Sequence, residues 1–225
     1  MSETSPALPP PAGPTIRDAI ERVAAATVLR ADGLASSTLH ESSGRMGALP
    51  SAIRPVAPGL RLCGPAVTVH SPGGDNLWLH RAIYVAKPGD VLVVSVSGVY
   101  DHGYWGEIMS TAARARGLGG LVIDGCVRDG ERLAALGLPI FARGLSIRGT
   151  GKDERAIGWV NAPVLLGDIT VAPGDLVVGD ADGVVAIPRA RAGAIVEAAH
   201  QREAREAEVM ERLRAGERTL EVYDF

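Results

Sequence analysis

The spacing of apolar positions changes period several times along the chain. Over residues 15–30 the side chains of Ile16, Ala19, Ile20, Val23 and Ala26 recur at three- and four-residue intervals, which predicts an amphipathic helix. Residues 66–70 alternate instead, as a strand does, and stop at Ser71-Pro72-Gly73-Gly74. Asp75 is then placed to cap a helix over 76–86, which Lys87-Pro88-Gly89-Asp90 closes. A β-branched run over 91–96 reads as a buried strand, and the alanine-rich stretch over 103–117 as a helix. A strand over 121–123, a helix over 128–136 and a strand over 139–142 follow, so the middle third alternates as an α/β unit does.

After Gly151 the pattern becomes short apolar runs at 164–166, 169–171, 176–178 and 184–187, separated by Gly-Asp and Pro-Gly-Asp turns. Pro-Gly-Asp occurs at 88–90 and 173–175, each time ahead of a valine-rich strand; two copies of a turn do not make a repeat. The last element is a helix over 189–214, whose positions Ile195, Ala199, Arg202, Glu206, Val209 and Leu213 follow 4-3-4-3-4 spacing. A carboxylate, Glu206, thus stands on its apolar seam. Residues 2–14 hold five prolines and little apolar content, so 1–14 is expected to be flexible and 15–225 to form one α/β domain ending in a long helix.

Composition removes several function classes. At 225 residues and 46% hydrophobic content, the chain is long enough to bury a sizeable core. Its net charge of −3, from 23 basic and 26 acidic residues without blocks, offers no polybasic footprint for nucleic acid. Cys63 and Cys126 form no C-x-x-C pair, no export leader is recognisable, and no apolar run approaches a membrane span; a cytoplasmic location is expected. His40, His70, His80, His102 and His200 lack zinc-type spacing, and Gly-x-Ser-x-Gly is absent. Gly73-Gly74-Asp75-Asn76 lacks the remaining residues of a phosphate-binding loop.

The most informative segment is Gly120-Leu-Val-Ile-Asp-Gly-Cys-Val-Arg128-Asp129, where a buried strand ends in a turn and delivers an arginine and an aspartate to a helix start. Asp129 is a hard oxygen donor suited to Mg²⁺ or Mn²⁺, and Arg128 can clamp a carboxylate or neutralise an enolate. The competing reading makes Asp129 a helix cap and Arg128 a surface ion-pair partner. Twenty-one residues earlier, Glu107 falls at another expected helix start, where the unpaired N–H groups of Gly106, Glu107, Ile108 and Met109 could bind a carboxylate. Alternatively, Glu107 only complements the helix dipole. A Schiff-base aldolase needs a desolvated lysine, and only Lys87 and Lys152 are present, both in turn or loop sequence. Lys152 is better suited to solvent or to a substrate's distal charge, which leaves a metal as the electron sink.

Several ordered motifs together resemble the 4-hydroxy-4-methyl-2-oxoglutarate/4-carboxy-4-hydroxy-2-oxoadipate aldolases of the wider RraA-like family. They are Thr38-Leu-His40-Glu41-Ser-Ser-Gly44-Arg45, Gly73-Gly-Asp75-Asn76-Leu-Trp-Leu-His80, Gly103-Tyr-Trp-Gly-Glu107, the strand ending in Arg128-Asp129, Gly179-Asp180-Ala-Asp182-Gly183, and Arg202-Glu-Ala-Arg-Glu206 with Ala215-Gly216-Glu217. The resemblance implies an α/β/β sandwich like the swivelling phosphohistidine domains, assembled as a homotrimer or homohexamer. It also implies a metal-dependent (class II) pyruvate aldolase of aromatic catabolism that decarboxylates oxaloacetate as a side activity. In that pattern Asp129 binds Mg²⁺ or Mn²⁺, Glu107 holds a water of the metal's shell, Arg128 contacts the pyruvyl oxygen, and the amides of Gly106 to Met109 receive the substrate carboxylate. Glu206, or else Glu203, would reach a neighbouring subunit's site. Arg132 departs from the pattern, which often has an acid three positions after the aspartate, and the chain stops at Phe225 where characterised aldolases continue. The family also includes regulators that bind a ribonuclease, in which the resemblance implies loss of the aspartate that stands here as Asp129.

Overall fold

The computed structural model describes residues 8–13 and 15–225. Much of the segment expected to be flexible, residues 1–7 and 14, lies outside the described residues. Two short helices, α1 (Ala25–Ala31) and α2 (Ser36–Ser42), precede strands β1 (Arg54–Pro55) and β2 (Leu62–His70). The middle of the chain runs α3 (Leu77–Val85), β3 (Val91–Ser95), α4 (Glu107–Ala115), β4 (Gly120–Asp124), β5 (Cys126–Val127), α5 (Gly130–Leu136), β6 (Ile140–Ala142) and β7 (Gly144–Leu145). Strands β8 (Trp159–Val160), β9 (Val164–Leu166), β10 (Ile169–Val171), β11 (Leu176–Asp180) and β12 (Gly183–Ile187) lead to the long helix α6 (Arg189–Arg214) and a final turn of helix, α7 (Thr219–Val222).

The main sheet has the order β1-β6-β4-β3-β2-β11-β12, with β8 also paired to β2. Strands β2, β3, β4 and β6 run parallel, while β11 and β12 form an antiparallel hairpin against β2. Arg54 of β1 donates from Nη1 to the carbonyl of Asp182, between β11 and β12, at 2.5 Å, so the two ends of the sheet curl towards one another in a near-closed, barrel-like shape.

The β-branched runs follow from burial on both faces, the usual condition of parallel strands. Because successive side chains alternate, Leu92 and Val94 of β3 and Leu121 and Ile123 of β4 face α3, α4 and α5, together with Trp78, Ile83, Tyr104, Trp105 and Met109. Val91, Val93 and Val122 face the other way, into a second core with Val164, Leu166 and Val171 of the β9–β10 hairpin and Val177 and Val184 of the β11–β12 hairpin. On those last strands Leu176, Val178, Val185 and Ile187 point outward and bury the Ala192, Ile195, Val196 and Ala199 stripe of α6. The arrangement agrees with the α/β/β layering and with the long C-terminal helix.

Three expected boundaries need correction, and one helix is new. The helix expected over 15–30 is helical only from Ala25; before it the chain is extended, with Val160 donating N–H to the Thr15 carbonyl at 2.8 Å and Val23 to that of Gly174 at 2.8 Å. Helix α4 begins at Glu107 rather than at 103: the Glu107 N–H, which would close on the Gly103 carbonyl in a longer helix, goes to Asp129 Oδ2 instead. Helix α5 begins at Gly130 rather than at 128. Helix α2 was not anticipated: its sequence is poor in helix formers, and its N-terminus is held from 144 residues away, Asp180 accepting from the Ser36 N–H at 2.8 Å and hydroxyl at 2.6 Å. Both Pro-Gly-Asp segments are turns, in which Asp90 and Asp175 accept the N–H groups of Lys87 at 2.7 Å and Ala172 at 2.9 Å.

Candidate active site at the parallel strand ends

The loops after the carboxyl ends of β2, β3 and β4 converge on one cavity of about 230 Å³. Arg128 and Asp129 line it together with the Gly103–Gly106 segment, Ile108 and Met109, with Asn76 and His80 of the third helix and its cap, and with Thr150 and Lys152 of a later loop. The Gly103–Gly106 segment is held by backbone pairing: Tyr104 donates N–H to the Cys126 carbonyl at 3.1 Å, and Arg128 to that of Trp105 at 2.8 Å. Asn76 Nδ2 adds a bond to the Tyr104 carbonyl at 2.9 Å, tying α3 to the same loop.

Two glycines of Gly103-Tyr-Trp-Gly106 are explained by close approach. A Cβ at Gly106 would stand 2.4 Å from Asp129 Oδ2, and one at Gly103 would stand 2.9 Å from the Arg128 Cβ and 2.5 Å from the Ser146 carbonyl oxygen. Any side chain there would displace the arginine or the aspartate.

Asp129 adopts φ 64° and ψ 37°, the left-handed region, and makes no side-chain cap on α5. Its Oδ2 accepts the N–H of Glu107, at the start of α4, at 3.1 Å, while Arg128 Nε lies 3.9 Å away. The side chain of Asp129 thus does not cap α5 but accepts the first N–H of α4, and the half-exposed Arg128 is its ion-pair partner, as the competing reading has it. With 40% of its side chain accessible and Oδ1 without a protein donor among the described residues, the carboxylate keeps oxygen lone pairs available at the cavity.

The expected site residues divide three ways. Arg128, Asp129, Gly106, Ile108 and Met109 line the cavity. Glu107 lines an adjoining depression with Ile108, Asp129, Gly130, Glu131 and Arg132, so the departure at Arg132 falls on its rim. The Glu107 N–H is already used by Asp129; the first bond of the helix proper, Ser110 N–H to the Gly106 carbonyl at 3.0 Å, leaves the Ile108 and Met109 amides outside the ladder. Glu206 and Glu203 line neither. The seam of α6 is as expected, with Ile195 and Ala199 buried and Arg202, Glu206, Val209 and Leu213 half-buried, but Glu206 is satisfied there by Arg202 Nε at 2.7 Å.

Asn76 and His80 went unassigned, although they stand four apart on one helix and so on one face. Burial lowers the pKa of His80, and the nearby Lys152 charge lowers it further against a smaller opposing effect of Asp75. Asp124, within the strand motif, plays no part in the cavity: it is buried and paired to Arg143 at 2.6 Å, whose guanidinium lies 3.7 Å from the Tyr100 ring centroid.

Among the described residues no group of three or more His, Cys, Asp or Glu side chains could hold a metal ion. A single accessible carboxylate at the cavity fits Mg²⁺ or Mn²⁺, which take most of their ligands from water and substrate oxygens.

A family model described as RraA-like, Aldolase/RraA, matches residues 14–186. A protein of Halalkalibacterium halodurans, provisionally named a 4-hydroxy-4-methyl-2-oxoglutarate aldolase, is 38% identical over 156 residues, covering 69% of this chain and 73% of the relative. Among solved structures, an uncharacterized protein from Pseudomonas syringae pv. tomato superposes with a TM-score of 0.78 at 30% identity, over 88% of this chain and 92% of that one. RraAS2 of Streptomyces coelicolor, described as an unusual member of the RNase ES inhibitor RraA protein family, superposes with a TM-score of 0.73 at 30% identity, over 85% and 100%. Among the described residues no helix is long and apolar enough to cross a membrane.

Proposed function

Because the chain belongs to the RraA-like (Aldolase/RraA) family, we propose that it is a lyase cleaving a 4-hydroxy-2-oxo di- or tricarboxylate to pyruvate and a second 2-oxo acid. The observation that carries this reading is the placement of Arg128 and Asp129 together in the lining of a small cavity, where Gly103 and Gly106 leave room for them. The aldolase name of the Halalkalibacterium halodurans relative supports the same reaction class.

Asp129 would hold a Mg²⁺ or Mn²⁺ ion, which supplies Lewis acidity towards the 2-oxo acid. Arg128 presents a fixed cation for the 2-oxo oxygen, so that negative charge appearing there during cleavage is neutralised without reorganisation. The free amides of Ile108 and Met109, at the positive end of α4, suit the substrate's 1-carboxylate. A water positioned by Glu107, or by Glu206 of a second copy in a homotrimer or homohexamer, takes the 4-hydroxyl proton. The C3–C4 bond then breaks, its electron pair enters the C2–C3 enolate, C4 becomes the carbonyl of the second product, and protonation at C3 gives pyruvate. Oxaloacetate decarboxylation passes through the same enolate and is the expected side activity.

Likeness to RraAS2 supports a second reading, a non-catalytic regulator that binds a ribonuclease. A retained aspartate at an open cavity favours the enzyme. A coupled pyruvate-release assay over a panel of 4-hydroxy-2-oxo acids and oxaloacetate separates them. The lyase reading expects Mg²⁺-stimulated turnover that exhaustive chelation abolishes and Mg²⁺ or Mn²⁺ restores; absence of turnover across the panel would reject it.

A further inference from the structure

We infer that Tyr104 is a positioning residue for the candidate site: its buried hydroxyl, acting through Gly74, holds the loop after β2 and the loop at 149–152 in place relative to Arg128 and Asp129. The link to turnover rests on the lyase reading; the hydrogen bonds do not.

The residues that line the cavity come from two groups of segments, each bonded within itself. In one, the Arg128 N–H goes to the Trp105 carbonyl at 2.8 Å and the Glu107 N–H to Asp129 at 3.1 Å, which fastens the arginine, the aspartate and the start of α4 to one another. In the other, Gly151 donates N–H to the Gly74 carbonyl at 2.7 Å and accepts that of Asn76 at 3.2 Å. The buried Asp75 carboxylate adds bonds from the N–H groups of Asp153 at 2.6 Å and Leu77 at 2.8 Å, so residues 149–153 are fixed to the start of α3. Tyr104 joins the two groups at both of its ends. Its carbonyl accepts from Asn76 Nδ2 at 2.9 Å; its hydroxyl accepts the Gly74 N–H at 2.8 Å and donates to the Val99 carbonyl at 2.5 Å. A further tie, from the Gly103 N–H to the Arg148 carbonyl at 2.8 Å, does not pass through Tyr104.

Packing alone does not require the hydroxyl. The Tyr104 side chain is buried in the core with Trp78, Met109 and Ile123, where a phenyl ring would fill nearly the same volume. A buried phenol is costly unless its oxygen is bonded, and here both bonds go to loop backbone. Gly74 carries the effect onward. In its left-handed conformation, φ 74°, its N–H is spent on the hydroxyl and its carbonyl on Gly151, so one residue connects the phenol to the loop that bears Thr150 and Lys152. Burial pushes the Tyr104 pKa up, against a smaller opposing effect of the Gly74 N–H, so the hydroxyl keeps the proton it donates to Val99 throughout the neutral range. Without the hydroxyl, the Gly74 N–H and the Val99 carbonyl lose these partners. The Arg128–Trp105 and Glu107–Asp129 bonds stay intact, so the loss falls on how substrate is held more than on the groups that act at the breaking bond.

The test compares wild type with Tyr104→Phe in the full chain, by amide hydrogen exchange resolved to single residues and by steady-state pyruvate release. Turnover is measured with Mg²⁺ and the 4-hydroxy-2-oxo acid that wild type cleaves best. In wild type the Gly74 and Gly151 amides should be protected although both lie in loops. In the variant they should exchange about tenfold faster while the Arg128 amide keeps its rate. KM should rise about tenfold with kcat within about threefold of wild type, the split expected when substrate positioning is lost and the reacting groups are not. An unprotected Gly74 amide in wild type would overturn the role, and that measurement decides if Tyr104→Phe fails to fold. So would a variant with wild-type KM, or one in which exchange quickens everywhere and kcat falls as far as kcat/KM. Wild type that releases no pyruvate would sink the lyase reading alone, and the exchange comparison would still decide whether the hydroxyl holds the two loops.

Discussion

Asp129 shows what a single residue contributes to this site. A left-handed backbone is uncommon outside glycine and is best tolerated by Asp and Asn. Here it takes the carboxylate off its own helix and sets it against the Glu107 N–H at the start of another. The pairing of Arg128 with Asp129 was legible because a buried strand ending in a glycine turn marks a ligand-binding loop. The backbone conformation was not, since the same sequence also reads as a helix cap. Asn76 and His80 were hidden for a different reason: on α3 they are ordinary polar positions, and only the return of residues 149–152 makes them a wall. His70 yields a prediction at this scale. It stacks on Trp159 at 3.9 Å between ring centroids, and burial lowers its pKa to about 4 from the ordinary 6.5. In that interval the unfolded chain holds a proton that the folded chain rejects. The stability gained from keeping His70 neutral is complete above pH 6.5 and drains away as pH falls towards 4, by at most about 1.4 kcal/mol per pH unit. Urea unfolding at pH 7.5 and 4.5 should therefore show a smaller loss in His70→Gln than in wild type; an equal loss would mean that His70 is not the group responsible.

Elements differ in how much of them a sequence exposes. Strands β3 and β4 and helix α6 are visible because their periods are strong and their burial is continuous. The helix expected over 15–30 failed because apolar residues at helical spacing are equally served by an extended chain when strand β8 and the turn at Gly174 offer hydrogen bonds. Helix α2 was unreadable because its stabiliser is Asp180, on β11. Burial opposes ionisation of this carboxylate, yet the Ser36 hydroxyl and N–H, the Asp182 N–H and Arg61 together hold its pKa below the usual value. Asp180→Ala should cost about 1–2 kcal/mol at pH 7, typical of a lost N-terminal cap. Because the depressed pKa stabilises the folded chain above the ordinary carboxylate range and ceases to do so as pH falls through the folded value, the gap between wild type and variant should shrink in acid. Denaturation midpoints at pH 7 and pH 3 check both parts.

At the scale of the whole molecule, the parallel pairing of β2, β3 and β4 matters for function because it brings their carboxyl ends to one place. The resulting cavity joins residues 76, 128 and 152, which no local pattern connects. Glu206 belongs to this scale as well: it lies outside the cavity of its own chain, bonded to Arg202, so any catalytic part for it requires a second copy. The account as a whole stands on the carboxylate of Asp129 as the seat of a divalent cation that serves bond cleavage. Pyruvate release by Asp129→Ala beside wild type, at saturating Mg²⁺ and with the fold confirmed by circular dichroism, measures this directly. Removing the seat should slow turnover by about three orders of magnitude, corresponding to roughly 4 kcal/mol of transition-state stabilisation. Turnover by the variant at the wild-type rate would contradict it.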